Sequence, residues 1–222
     1  MDSEEADGRK ALQEGSFSEA LRVFLRYPTP WIIALAVVVG WSGRIWLGNW
    51  TWWDGLVAGV ILGFWPMQEW LIHVLVLHFK PFEIFGRRID LHVAKKHRAH
   101  HNEPWRIADV FIPTRTLLVS LPTATAVWFL VAPTWELAFG GLAFYSTMTL
   151  VYEWVHFLVH TNYRPKTPIL KRLRKNHRLH HFKHEQNWFG VTMLSGDRIM
   201  GTAPAPNEVE TSETVDTLGV EE

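Results

Sequence analysis

LVAGVILGFWPMQEWLIHVLVLHF, residues 56–79, decides how the rest of the chain must be read. It is almost continuously apolar and longer than the roughly 20 helical residues needed to cross a hydrocarbon core about 30 Å thick. Two histidines, His73 and His78, nevertheless stand near its end. Ionisable groups are costly in such a place and are usually functional. Outward from this segment lie three further apolar blocks, at 31–47, 117–132 and 137–159. They carry almost no polar stripe, unlike the amphipathic helices of a soluble bundle. The first and third are short and would cross with tilt or local thinning. Four crossings are expected.

The charged residues orient the crossings. Of 22 Lys and Arg, four precede the first block, eight lie between the second and third, nine follow the fourth, and Arg44 alone falls elsewhere. Short loops rich in Lys and Arg stay on the cytoplasmic side, which places both termini and the 80–115 loop there and requires an even number of crossings. The opposite loop holds Trp46, Trp50, Trp52 and Trp53, whose indoles favour the headgroup layer. Residues 1–26 form a polar, acid-rich tail with no signal-peptide pattern, and residues 204–222 an acidic one. Neither offers enough apolar surface to offset the entropy of ordering, so disorder is expected up to about residue 15 and beyond 204. With 22 acids balancing the 22 bases, nothing provides the basic footprint of a nucleic-acid binder. The absence of cysteine excludes disulfides, thiolate metal sites and cysteine nucleophiles, leaving histidine and carboxylate for any metal.

All twelve histidines lie between positions 73 and 184, and ten form a pattern that occurs twice. The first half reads His73-x4-His78, then His97-x2-His100-His101. The second reads His156-x3-His160, then His177-x2-His180-His181. The basic-residue topology brings all four groups to one membrane face. Helical spacing of three and four residues makes His97, His100 and His101 converge, as it does His177, His180 and His181, and His156 with His160. The pair His73 and His78 is about 140° apart on a regular helix and needs a local bulge to meet. Ten imidazoles exceed the shell of one ion and give two ions four to six ligands each, so a dimetal site is expected. Imidazole suits iron, zinc, copper and nickel alike. His92 and His184 stand outside the pattern. Glu69 and Glu153, one turn before His73 and His156, are expected either to receive the second N–H of ligating histidines or to form salt bridges to the basic loops.

The stretches EWLIHVLVLH, HRAHHNEPWRIADVFIPT, VYEWVHFLVHT and NHRLHHFKHEQNWFGVTMLSGDRIMGT, spread over about 69–202, resemble the four histidine boxes of the fatty acid hydroxylase and sterol desaturase superfamily. Gap lengths resemble those of its fatty acid 2-hydroxylase branch. The resemblance implies an all-α fold: an integral membrane four-helix transmembrane bundle with a cytoplasmic helical cap, residues 27–203, carrying a ten-histidine dimetal site. It implies metal ligation by His73, His78, His97, His100, His101, His156, His160, His177, His180 and His181. Two iron ions, with zinc an alternative occupant after purification, and O2 as co-substrate follow from the same likeness. So does hydroxylation of a lipid acyl chain at the alpha carbon. No amino-terminal cytochrome b5 domain is expected, so electrons come from a separate protein, cytochrome b5-like or ferredoxin-like. One departure concerns Pro104, Arg106 and Asp109, where the family's Asp and Arg are exchanged; an i, i+3 clasp survives such a reversal.

Three alternatives stay open on the sequence. A sterol, carotenoid or head-group-linked lipid could be the substrate of the same chemistry. A metal transporter would place ionisable groups through the depth of several spans, and the far half of these blocks is nearly free of them. A zinc hydrolase would keep an open metal position beside a general base.

Overall fold

The computed structural model describes residues 15–220. The chain is dominated by helices: α1 Phe17–Phe24, α2 Pro28–Leu47, α3 Trp52–Ile72, α4 His92–Asn102, α5 Ile107–Val110, α6 Thr114–Val131, α7 Trp135–Val159, α8 Pro168–Phe182 and α9 Ser195–Met200. A π turn, His73–Leu77, extends α3. A short antiparallel hairpin, β1 Phe82–Ile84 and β2 Arg87–Ile89, pairs Phe82 with Ile89 and follows that turn.

Among the described residues three segments are long and apolar enough to cross a membrane: Pro28–Leu47, Trp52–Leu77 and Ile107–Val131. The fourth apolar block forms α7, which has 25 residues but is interrupted by Glu136, Gly140, Gly141, Ser146, Thr147, Thr149 and Glu153. Those small and polar residues suit α7 to the centre of the helix packing, where it contacts α2, α3, α6 and α8. At the α2–α7 contact, a Cβ on Gly40 would lie 2.7 Å from the Ala143 nitrogen, so only glycine permits the two backbones to approach this closely. Trp41 Nε1 donates to Thr147 Oγ1 across the same seam at 3.1 Å.

The basic residue that stands apart in the sequence is accounted for here. Arg44 is fully buried, and its guanidinium donates to Asp54 Oδ1 at 2.5 Å, to Asp54 Oδ2 at 2.8 Å and to the Gly48 carbonyl. It also lies 3.8 Å from the Trp50 ring centroid. Asp54 completes a capping box with Thr51 at the start of α3, so one carboxylate both starts the helix and neutralises the arginine. Removing one partner of a buried pair leaves an uncompensated charge, at a cost of about 3–5 kcal/mol. Asp54→Ala is therefore expected to lower the thermal midpoint in detergent strongly, and Asp54→Ala with Arg44→Met to recover much of it. Equal midpoints for the wild type and Asp54→Ala would remove this clasp from the account. The tryptophans of the same turn are exposed, Trp46 at 86% and Trp52 at 66%, as an interfacial role requires and a core role does not.

The disorder expected beyond residue 204 needs correction, and so does the polar-tail reading of the residues that follow 15. Residues 1–14 lie outside the described residues, but Ser16 caps α1 by accepting from Glu19 N. The helix buries Ala20, Val23 and Phe24 against Phe111 and Phe157. The i, i+3, i+4 spacing of those three residues is an apolar stripe that a low average hydrophobicity conceals. At the other end, residues 205–220 are ordered across the histidine-rich region. Ser212 N donates to the Lys183 carbonyl at 2.8 Å, Thr214 Oγ1 donates to Glu185 at 2.7 Å, and Leu218 is buried. Specific backbone and hydroxyl bonds, with one apolar anchor, order a segment whose composition alone argues for disorder.

Candidate metal centre

Four elements bring ten histidines together: the end of α3 with its π turn, α4, the end of α7, and α8. They form two groups of five. His73, His78, His97, His101 and His180 make one, and His100, His156, His160, His177 and His181 the other; within each, one nitrogen per ring lies within 4.8 Å of all the rest. These are the ten patterned histidines. His92, which is exposed, and His184, which accepts from Gln186 N, belong to neither group.

The grouping does not follow the two sequence halves. In His97-x2-His100-His101, the i, i+4 pair His97 and His101 faces one cluster while His100 faces the other. In the second motif, His177 and His181 face the other cluster and His180 crosses back. Each half thus lends one ring to the opposite site, correcting the expectation that all three rings of a motif converge. The cause is angular. Residues i and i+4 are about 40° apart on a helix, whereas the intervening i+3 lies about 60° to the opposite side of i. Two sites on either side of α4, and again of α8, separate them.

The π turn supplies the bulge that His73 and His78 need. His78 N donates to the His73 carbonyl at 3.0 Å, an i to i+5 bond, and the two ring centroids come to 5.0 Å.

The arrangement fits metal ions. Nε2 atoms approach one another at 3.2 Å for His73 and His97, 3.1 Å for His100 and His160, 2.7 Å for His160 and His177, and 3.1 Å for His101 and His180. Ligands at right angles around an ion with bonds of about 2.0–2.1 Å are separated by about 3 Å. His78 Nε2, His156 Nε2 and both nitrogens of His181 are buried without a hydrogen-bond partner. A buried imidazole nitrogen is costly when left alone and satisfied by a cation. Burial first, and neighbouring imidazoles second, hold His97, His100, His160, His177 and His181 well below the ordinary histidine pKa. His180 is pushed down by burial to about 4. The rings are neutral at pH 7, the form that ligates.

Where the other ring nitrogen has a partner, that partner is backbone and not one of the two glutamates; Nδ1 of His100 and of His177 is buried with none. Nδ1 of His73 donates to Phe189 O, of His101 to Val215 O, of His160 to Pro104 O and of His180 to Asn187 O, at 2.8–3.0 Å. His156 bonds the Val110 backbone. A carbonyl can only accept, so each bond fixes the tautomer and leaves Nε2 free to ligate. Glu69 and Glu153 act one step further out. Glu69 accepts from Thr192 N and Met193 N, and Glu153 from Ile112 N. Each glutamate therefore clamps a loop whose carbonyls orient histidines: Phe189 and Asn187 for the first cluster, Val110 and Pro104 for the second. Asp197, fully buried, reinforces the first loop by accepting from Phe189 N and Gly190 N, both at 2.8 Å. Spacing to histidine offers no signal for such a residue, because it acts through the backbone N–H groups of the loop that precedes its own helix. Arg106 and Asp109 do form an i, i+3 pair at 3.4 Å, with Lys96 on the same carboxylate at 3.3 Å.

A cavity of about 360 Å³ reaches the histidines from within the helix packing. Its walls descend α7 through His156, Tyr152, Thr149 and Tyr145, and α3 through Val76, Ile72, Gln68 and Trp65, closed by α6. His97 of one cluster and His156 of the other share its inner end, together with Lys96 and Asp109. The far end is lined by Leu121 and Ala124. From Tyr145 to His156 the slot is about 17 Å long at 1.5 Å per residue.

The sequence profile of the fatty acid hydroxylase family matches residues 58–202. The dihydroceramide fatty acyl 2-hydroxylase FAH2 of Arabidopsis thaliana is 27% identical over 201 residues, spanning 86% of this chain and 78% of that protein. The fatty acid 2-hydroxylase of Homo sapiens is 27% identical over 140 residues, 62% of this chain but 37% of its own length. The solved structure of full-length Scs7p, in which only the hydroxylase domain is visible, superposes with a TM-score of 0.65 over 90% of this chain and 74% of that one, at 22% identity. At that identity the likeness is one of fold.

Proposed function

We propose, from the premise that this chain belongs to the fatty acid hydroxylase family, that it is a membrane oxidoreductase hydroxylating a lipid acyl chain at the carbon next to the carbonyl. The carrying observation is the apolar slot that ends between the two histidine clusters. Membership sets the transporter and zinc hydrolase alternatives aside. The ten clustered histidines are proposed as ligands of two iron ions, which would supply the activation of O2 that insertion into an unactivated C–H bond requires. The overall balance consumes O2, two electrons and two protons per hydroxyl formed, with one water released. The electrons are assigned to a separate donor protein, cytochrome b5-like or ferredoxin-like.

The chain's own residues bind, orient and exclude water. Leu117, Leu121 and Ala124 of α6 face Ile72 of α3 and Val76 of the π turn and offer a linear hydrocarbon a dry path. The polar groups that could face a carbonyl or amide head, Lys96 and Asp109, stand at the histidine end. A chain lying with its head there and its tail toward Ala124 has its first methylenes beside His97 and His156. Fixing one methylene near the metals replaces a search by a bound geometry. The same orientation disfavours reaction near the methyl end. The termini, the 80–115 loop and the metal centre are assigned to the cytoplasmic side, with α7 as the fourth crossing; the distribution of Lys and Arg supports this.

Comparative lipid mass spectrometry with and without expression tests the reading. The expected product carries one added oxygen, located at carbon 2 of an acyl chain by fragmentation. Oxygen placed in mid-chain, in a sterol or in a carotenoid would overturn the assignment. Leu121→Trp, which fills the far end of the slot without touching a histidine, is expected to shorten the preferred acyl chain while metal content stays constant. An unchanged chain-length profile would show that the substrate lies elsewhere.

A further inference from the structure

The two clusters resemble one another in their helices but not in their outer partners. His101 and His181 occupy equivalent places, each four residues after a ring of its own cluster. Nδ1 of His101 donates to Val215 O at 3.0 Å, whereas both nitrogens of His181 lack any hydrogen bond. The partner of His101 comes from the acidic segment that follows the last histidine motif. The flank of His181 instead opens on a cavity of about 300 Å³ between Pro104, Trp105, Arg174 and Phe182.

We propose that residues 211–218 are a strap that completes one metal site and not the other. The inference rests on the two-cluster metal reading given above. Three bonds and one buried side chain fasten the strap around the Val215 carbonyl. Ser212 N donates to Lys183 O at 2.8 Å, just beyond the end of α8. Thr214 Oγ1 donates to Glu185 Oε1 at 2.7 Å, and Glu185 is itself buried. Leu218 N closes back on Thr214 O at 2.8 Å, while the Leu218 side chain is 4% exposed. Val215 thereby follows two bonds to the residues just beyond the end of α8 and precedes the buried Leu218, while its carbonyl faces a ring of α4. Its role is positional: it fixes the His101 tautomer with Nε2 turned toward His180, and covers that face of the cluster. Losing the hydrogen-bond partner of a ligating histidine typically costs about 10–100-fold in metal affinity.

The test loosens the strap in the full-length protein, leaving every histidine in place. Thr214→Val with Leu218→Asp removes the hydroxyl's bonds to Glu185 and Ser212 and the apolar anchor; Leu218→Met is the conservative control. After reconstitution with Fe(II), metal per chain and chelator-competition affinities are measured alongside the thermal midpoint of the metal-free protein. Two ions are expected for the wild type and for Leu218→Met. In the double variant, one ion should be weakened by about 10–100-fold and the other unchanged. A synthetic peptide of residues 205–222 added to a strap-deleted chain should restore the weakened ion. Retention of both ions at wild-type affinity in the double variant, or equal weakening of both, overturns the strap. A double variant that does not fold places the segment in the general scaffold and also overturns it. A wild type that binds fewer than two ions overturns the two-cluster reading, and the strap with it.

Discussion

Alanine at His180 is expected to abolish hydroxylation and to release the ion held with His73, His78, His97 and His101, leaving the other ion bound. The reciprocal result is expected for His100→Ala, which should deplete the cluster of His156, His160, His177 and His181. The outcome is not the one that sequence order implies, because His180 sits in the second motif and His100 in the first. It follows from the crossing of one ring per motif to the opposite cluster. Each ring is buried, and its loss removes one of five donors and leaves an empty volume beside neutral imidazoles. Product yield should fall below detection in both variants, since the cavity touches rings of both clusters at its inner end. The discriminating readout is spectroscopic. Reconstituted with Co(II), the two variants should lose different ligand-field bands, and their spectra should sum to that of the wild type. Identical spectra, or a His180→Ala protein that keeps both ions, would overturn the two-cluster assignment; a His180→Ala spectrum matching that of His156→Ala rather than His73→Ala would show that each sequence half builds its own site.

Much of this centre is legible in the sequence because the repeated histidine spacing is a statement about helix faces. The i, i+5 separation of His73 and His78 demands a bulge, and the chain has a π turn at that place. The ten patterned rings separate from His92 and His184 for the same reason. Two features escape such reading. Which ring of a motif crosses depends on where the second site lies, and spacing within one helix does not contain that. The outer partners are backbone carbonyls of Pro104, Asn187, Phe189 and Val215, and carbonyls carry no residue signature. Glu69 and Glu153 are visible as buried carboxylates beside histidines, but their bonds go to Thr192, Met193 and Ile112, so one turn of separation misleads. The acidic end shows a third limit. Average composition argues for a free tail, while order there depends on Ser212, Thr214 and Leu218, three residues that no average registers.

Acidification is expected to unfold the metal-free protein steeply between about pH 6.5 and pH 4, whereas the metal-loaded protein resists to lower pH. An unfolded histidine takes up its proton near pH 6.5. In the folded chain burial pushes His180 down to about 4, and holds His97, His100, His160, His177 and His181 well below the ordinary value. Over that window the unfolded state binds more protons than the folded one, so stability is full above pH 6.5 and is lost as pH falls toward the folded pKa. Each proton taken up on unfolding contributes a slope of about 1.4 kcal/mol per pH unit, and several rings titrating together multiply it. A bound ion opposes this by stabilising only the folded state, and its own release by protons then sets the lower limit. The measurement is the thermal midpoint in detergent across pH 8 to 4, with and without Fe(II). His180→Gln should flatten the metal-free curve by removing one titrating ring. A metal-free midpoint that stays constant from pH 7 to pH 5 would mean that the rings are solvated and protonate in place. In that event the clusters would stand open to water, and neither the dry slot nor the closed metal site described here could be retained.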